Sequence, residues 1–230
     1  MADDAPVALV TGGAGFIGSA VVDRLRASGH HVVTLDLHGD PAVDLSDEHA
    51  VRAAARAVLA EHGRVDVLVH AGVSFQRATL ADLDAAVLRN VMAVNVEAPL
   101  WLVQELEPGM SERGFGRVVF LVSDTFFNPP PVSDMLPYIT SKGALIGASR
   151  SLARSLGASG ITVNCVAPGL TPPPVGGMEQ HVKDDVLRRQ ALPRPLVPDD
   201  VANVVAFLVQ PESQAITGQT LCPDGGLVLL

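Results

Sequence analysis

The sequence predicts a doubly wound α/β fold: a parallel sheet of about seven strands with helices on both faces, in a single domain over residues 1–230. Three observations carry this. Short β-branched runs alternate with longer helix-patterned runs from one end of the chain to the other, the signature of βαβ units and a sheet covered on both sides. A chain of 230 residues, 48% of them hydrophobic, can bury one sizeable core. Neither a linker nor a repeat divides it.

The first strand, "VALVT" (7–11), leads through a glycine turn into a helix over 16–28, and Gly29 stands where a left-handed cap is wanted. Next come "HVVTLD" (31–36), a short strand "AVDL" (42–45), and a helix over 46–62 that Ser46, opening "SDEH", is expected to N-cap. "VDVLVHA" (65–71) supplies another strand, helices over 79–89 and 92–113 follow, and "RVVFLVS" (117–123) returns to the sheet. A helix over 138–157, the strand "TVNCVAP" (162–168), a helix over 199–209 and a last strand "QTLCPDG" (219–225) complete the pattern. Two stretches break this rhythm. "DTFFNPPPVSDMLP" (124–137) and "LTPPPVGGMEQHVKDD" (170–185) are long, proline-rich loops, each after the carboxyl end of a strand, the edge at which open parallel sheets bind ligands.

A net charge of −9 and an isoelectric point near 5.1 argue against a nucleic-acid partner, which needs a concentrated basic face to displace counterions. The N-terminus, "MADDAPVAL", has no positive segment leading an apolar stretch, and no apolar run reaches membrane-spanning length. A soluble cytoplasmic protein is expected, with no membrane partner. Cys165 and Cys222 match no metal or redox spacing and read as buried thiols, and the seven histidines form no ligand pair, so no metal is expected.

The stretch "TGGAGFIG" (11–18) sits between the first strand and the first helix. A helix start offers unpaired N–H groups and the positive end of the helix dipole, which makes such a turn an anion site. Gly12 permits the turn, Gly15 lets the backbone approach a pyrophosphate, and Gly18 lets the helix pack close to the strand; Ala14, Phe16 and Ile17 fill the places between. The second strand ends on Asp36, where a carboxylate can hydrogen-bond the adenosine ribose hydroxyls. That carboxylate repels a 2′-phosphate. Its neighbour is Leu37 rather than a cation, and positions 13–16 carry none either, so NAD is favoured over NADP.

The second motif is "YITSK", Tyr138 to Lys142, at the head of a predicted helix. An i, i+4 spacing puts phenol and ammonium on one face, about 6 Å apart at Cβ. A free phenol, with a pKa near ~10, is a poor base at neutral pH, but a neighbouring cation favours the phenolate. The combination of "TGGAGFIG", Asp36, "YITSK" and "NCVAPG" resembles the short-chain dehydrogenase/reductase family, in its single-domain Rossmann-fold branch, over essentially the whole chain.

The resemblance implies a catalytic tetrad. Tyr138 would be the general acid/base, Lys142 would hold the nicotinamide ribose and lower the tyrosine pKa, Ser123 would hydrogen-bond the substrate oxygen, and Asn95 would hold a water behind the lysine. It also places Asp44 and Leu45 at the adenine, Ala71 and Gly72 of "HAG" beside the adenosine ribose, and Pro168, Gly169, Leu170 and Thr171 along the nicotinamide carboxamide. Three features depart from the family pattern. The spacing around Gly15 is more typical of the longer, sugar-nucleotide-modifying branch; "VHAG" stands where "NNAG" is usual; and the Ser123–Tyr138 loop is longer, with Thr171 earlier after "PG" than its usual counterpart. His70 is read as structural.

The expected reaction is hydride transfer between NAD and the carbon of a secondary alcohol or ketone. Phe126, Phe127, Val175 and Met178 make the two long loops apolar, which with Ser123 and Tyr138 suggests a medium-sized apolar or cyclic small-molecule substrate. Two alternatives stand beside this reading: a ketoreductase of acyl or polyketide intermediates, and a non-catalytic dinucleotide-binding regulatory protein. Apolar positions on more than one face of the helices at 92–113 and 138–157, including Leu100, Trp101, Leu145 and Ile146, and the "LVLL" ending point to assembly. The resemblance implies a homotetramer, or at least a homodimer.

Overall fold

The computed structural model describes residues 5–130, 134–172 and 179–230. Its elements are β1 (Val7–Thr11), α1 (Phe16–Ala27), β2 (His31–Leu35), α2 (Glu48–His62), β3 (Val67–His70), α3 (Ala85–Met92), α4 (Ala98–Arg113), β4 (Gly116–Leu121), α5 (Leu136–Leu156), β5 (Ile161–Val166), α6 (Gln180–Arg189), α7 (Pro198–Leu208) and β6 (Thr220–Leu221). The strands form one six-stranded sheet, ordered β2-β1-β3-β4-β5-β6, and every pairing is parallel. The order reverses beside β1, so the carboxyl ends of β1 and β3 flank the crevice at which such sheets bind ligands.

Strand alternation divides the core in two. Ala8, Val10, Val67, Val69, Val119 and Val166 face α1 and α7, where Val21, Val22 and Leu25 meet Val201, Val205 and Leu208. Leu9, Leu68, Val118, Phe120, Val163 and Cys165 face the other way, onto Val51, Val58, Leu102, Leu106, Leu145 and Ile146. Leu145 and Ile146 are therefore spent inside the protomer and say nothing of assembly.

The structure corrects several expectations. Residues 42–45 form no strand: the Val43 N–H closes a turn on the Asp36 carbonyl and Asp44 Oδ1 accepts from the Ser46 amide and hydroxyl, although Val43 and Leu45 are still buried. With Ser46 so engaged, Asp47 caps α2 instead, accepting from the His49 and Ala50 N–H groups at 2.8 and 3.1 Å. The helix expected from 79 begins only at Ala85, because Asp82 draws the Thr79 amide and hydroxyl into a turn and Asp84 supplies the cap. A short helix, α6, occupies part of the expected 170–185 loop; it buries none of its residues, which is why no apolar periodicity announces it. Gly29 does follow α1 in the left-handed region, at φ 87°.

Helices α3 and α4 join through a π-helical turn at Ala93–Glu97 into one rod over Ala85–Arg113. By length and composition alone that rod could cross a membrane. It packs Val91, Val96, Leu102 and Leu106 into the core instead.

Candidate active site

Gly12 leaves β1 in the left-handed region (φ 67°), and a Cβ there would meet the Gly72 nitrogen at 2.6 Å. A Cβ on Gly18 would collide with the Gly12 carbonyl, so α1 can approach its strand only with glycine at that position. The resulting groove, about 460 Å³, is lined by Gly12, Ala14, Gly15, Asp36, Leu37, Asp44, Leu45, Ala71, Gly72, Ser74, Asn90 and Val94 among others. One oxygen of Asp36 accepts from the Ala14 N–H at 3.1 Å and the other from the His38 N–H at 3.0 Å, so the carboxylate is fixed against the glycine turn. Phe16 and Ile17 open α1 but do not line the groove, and Ile17 packs on the core beside α7. These residues fit a dinucleotide: a tight glycine cradle at a helix N-terminus, with an acid on the adjoining strand end.

The second cluster stands at the carboxyl end of β4. Ser123 is buried, caps a short 3₁₀ turn at Asp124–Phe126, and lies 2.8 Å from the Thr125 hydroxyl. Tyr138, in the first turn of α5, has its phenol within hydrogen-bonding reach of the Ser123 hydroxyl. Burial raises the phenol pKa, the Ser123 hydrogen bond draws it back, and the Asp124 charge raises it further. One turn on, Lys142 is buried with Nζ 5.5 Å from the Tyr138 ring centroid, and burial pulls its pKa down to about 8. Asp124 is buried beside Ser123, and burial, reinforced by the Asp224 charge, lifts its carboxyl to about 6.

Asn95 lies inside the π-helical turn. Its Oδ1 accepts from the Ser74 N–H at 2.7 Å, and Nδ2 donates to the Ser74 carbonyl at 3.1 Å and to the Ser141 hydroxyl at 2.9 Å. Both amide hydrogens are thereby committed, and the side chain ties the loop after β3 to α5. Pro168 and Gly169 are buried after β5, where a Cβ on Gly169 would meet Asp224 Cα at 2.7 Å; Leu170 and Thr171 are half-buried, the Thr171 hydroxyl donating to the Gly169 carbonyl. These four residues do not line the groove described above.

The substrate wall differs from expectation. Phe127 packs into the core and Phe126 lies over Gly143 of α5, the two rings edge-on to each other at 5.1 Å. Val175 and Met178 lie outside the described residues. The aromatic against Tyr138 is Phe75, edge-on with centroids 4.8 Å apart, and Arg77 sits 5.4 Å over the Phe75 ring while pairing with Asp134 at 2.9 Å. The sequence offered one signal for it: Val73 and Phe75 are apolar residues just past the carboxyl end of β3, the same edge that singled out the two long loops. Cys165 is fully buried but Cys222 only partly, and burial pushes both thiols up to about 11.

A parallel sheet with a glycine cradle at its crossover and a Ser, Tyr and Lys at the end of β4 defines a dinucleotide-binding α/β oxidoreductase. A family model described as enoyl-(acyl carrier protein) reductase matches residues 12–228. The chain is 32% identical over 247 residues to the short-chain reductase protein NovJ of Streptomyces niveus, covering 96% of this chain and 93% of that protein. It is also 32% identical to the (2S)-[(R)-hydroxy(phenyl)methyl]succinyl-CoA dehydrogenase subunit BbsD of Thauera aromatica, covering 90% and 80%. Among solved structures, a blue fluorescent protein from a metagenomic library in complex with NADPH superimposes with a TM-score of 0.89 at 29% identity, covering 100% of both chains. The chain belongs to the short-chain dehydrogenase/reductase family, whose members bind a nicotinamide dinucleotide and act on small molecules.

Proposed function

We propose that this protein is an NAD-dependent oxidoreductase that interconverts a secondary alcohol and its ketone on a medium-sized apolar or cyclic compound. The observation that carries this reading is the meeting of the Ser123 and Tyr138 hydroxyls at the end of β4, with Lys142 buried one turn behind them. Ser74 lines the groove, and Asn95 holds it and joins it to α5, the helix that carries Tyr138 and Lys142. When bound, the nicotinamide supplies the hydride acceptor or donor. Ser123 donates to the substrate oxygen and Tyr138 exchanges its proton with that same oxygen. With a pKa of about 8, Lys142 remains predominantly an ammonium at neutral pH, one helical turn from a phenol whose pKa burial raises and the Ser123 hydrogen bond draws back.

The Asp36 carboxylate supports NAD, since its fixed charge repels a 2′-phosphate and accepts from ribose hydroxyls. Support for the substrate class comes from the apolar wall of Phe75 beside Tyr138 and from the Thauera relative, whose name carries a hydroxy(phenyl)methyl group. A second reading, NADPH-dependent reduction of acyl intermediates, is favoured by the description of the matched family model and the NADPH-bound relative, and opposed by Asp36. Cytoplasmic location and a homotetramer or homodimer belong to the same proposal; Leu229 and Leu230, 87% and 76% exposed in the single chain, support an assembly that covers them.

The test is NADH formation from NAD and a panel of secondary alcohols. Tyr138→Phe is expected to lower turnover by roughly 10²–10⁴-fold while leaving NADH binding intact. Dinucleotide binding without turnover on any alcohol or ketone supports the regulatory alternative, and tighter binding of NADPH than NADH overturns the NAD assignment.

A further inference from the structure

Four side chains follow one another outward from the sheet. The Lys142 ammonium lies 5.5 Å from the Tyr138 ring centroid, the Tyr138 and Phe75 rings meet edge-on at 4.8 Å, and the Arg77 guanidinium carbon lies 5.4 Å over the Phe75 ring. Lys142 is buried at the inner end, and Arg77, its side chain 58% exposed, stands at the solvent end. The backbone beside Arg77 is held against α5. Ala78 N–H donates to the Asp134 carbonyl at 2.6 Å and Leu136 N–H to the Ala78 carbonyl at 3.3 Å, a single parallel bridge between the loop after β3 and the chain entering the helix that carries Tyr138.

A guanidinium grips a carboxylate best through two nitrogens at once. Arg64 meets Asp66 in this way through Nε and Nη2 at 2.8 and 2.9 Å, and Arg194 meets Asp200 through Nη1 and Nη2 at 2.8 and 2.6 Å. Arg77 meets Asp134 differently. Its Nη1 alone donates to both carboxylate oxygens, at 3.0 and 2.9 Å, and among the described residues Nε and Nη2 donate to nothing. The Nε–Nη2 edge, the one with which Arg64 holds its carboxylate, is therefore open on Arg77. The pair with Asp134 is also exposed on both sides, and such pairs hold their partners weakly in water.

We propose that Arg77 is a specificity-determining residue, whose Nε–Nη2 edge takes a carboxylate carried by the substrate while the substrate's ring lies by Phe75 and its carbinol meets Ser123 and Tyr138. The substrate class is then an aromatic or cyclic hydroxy acid, or the matching keto acid, with one ring between the reacting carbon and the carboxylate. The 124–137 loop contains no lysine or arginine, so the loop after β3 supplies the cation. Asp134 has two opposed effects: it holds the guanidinium in place, and its own charge works against a second carboxylate. The carbinol end of this assignment rests on the proposed oxidoreductase reading; the carboxylate contact does not.

The probes are 4-acetylbenzoate and acetophenone, which share ring and ketone and differ in the carboxylate. Calorimetry in the presence of the reduced dinucleotide that binds more tightly is expected to show about tenfold tighter binding of the carboxylate, the increment of a charge-assisted hydrogen-bonded pair. Arg77→Gln is expected to remove that advantage. Asp134→Asn, which keeps an acceptor for Nη1 but not the charge, is expected to widen it about threefold. Each variant is judged on the ratio of the two ligands, so a general loosening around Phe75 moves both together and leaves the ratio alone. Equal binding of the two by the wild type, no binding of the carboxylate, or an advantage that Arg77→Gln retains overturns the proposal. The corresponding alcohols, 4-(1-hydroxyethyl)benzoate and 1-phenylethanol, are expected to carry the same ratio into kcat/KM. Arg77-dependent binding with no turnover keeps the carboxylate site and sinks the oxidoreductase reading; turnover of both alcohols at equal kcat/KM does the reverse.

Discussion

Lys142 Nζ donates a 2.8 Å hydrogen bond to the Leu121 carbonyl at the end of β4, from a side chain that is 2% exposed. Burial lowers its pKa from 10.5 to about 8 in the folded protein. Between those values the unfolded chain binds more protons than the folded one, so stability rises with pH across the window and the buried charge costs most below pH 8. The shift corresponds to roughly 3 kcal/mol. Lys142→Met is therefore expected to be more stable than the wild type at pH 7, by up to about that amount, and to show a flatter profile from pH 8 to 10.5 in urea unfolding without added nucleotide. It is also expected to lose turnover, a trade of stability for function at one residue.

Asp124 presents the opposite sign. Its carboxyl, lifted from 3.8 to about 6, binds more protons folded than unfolded between those values, so its contribution to stability falls as pH rises through the window and stays lost above it. Ser123 Oγ lies 3.4 Å from Asp124 Oδ1, which is too weak a contact to compensate burial next to Asp224. Asp124→Asn is expected to raise stability at pH 7 by about 1–3 kcal/mol and to leave it unchanged below pH 3.8. Urea midpoints on both sides of the window measure the difference.

How much of this was legible in the sequence follows from the reach of each signal. The strand and helix pattern and the pairing of Tyr138 with Lys142 are local: a period, or one helical turn, is enough to read them. Asp47 displacing Ser46 as the α2 cap turned on Asp44, a neighbour whose side chain competes for the serine. Phe75 against Tyr138, Asp124 against Asp224 and His70 against Thr11 join residues far apart in sequence, and no periodicity encodes such meetings. Phe127 shows the same limit, since an aromatic in a ligand-side loop reads alike whether its ring faces a crevice or, as this half-buried one does, rests against the core.

Asp36 carries the cofactor assignment and can be tested alone. Replacing the carboxylate removes both the ribose acceptor and the repulsion of a 2′-phosphate, and frees the Ala14 N–H that it holds at 3.1 Å. Asp36→Ala is expected to weaken NADH about tenfold, the worth of one or two hydrogen bonds, while NADPH binding holds or improves. Fluorescence titration with both reduced dinucleotides measures the ratio; an unchanged ratio removes Asp36 from discrimination.

Phe75 is the prediction on which substrate choice turns. Its ring meets Tyr138 edge-on at 4.8 Å, and the other contacts of its loop hold it there: Arg77 lies over the ring and pairs with Asp134, and Ala78 donates to the Asp134 carbonyl at 2.6 Å. The loop after β3 is thereby sewn to the chain entering α5, so the ring is placed before any substrate arrives. An aromatic pair of this kind is worth about 0.5–1.5 kcal/mol beyond its area. Phe75→Ala is expected to raise KM for aromatic and cyclic alcohols by roughly 3–10-fold, with a smaller change for short open-chain alcohols that do not reach the ring. Phe75→Leu, which keeps the apolar wall but not the edge, should fall between. Kinetics across a graded alcohol series make the comparison, and a uniform rise in KM for all of them would show that Phe75 only supports Tyr138 rather than selecting what binds beside it.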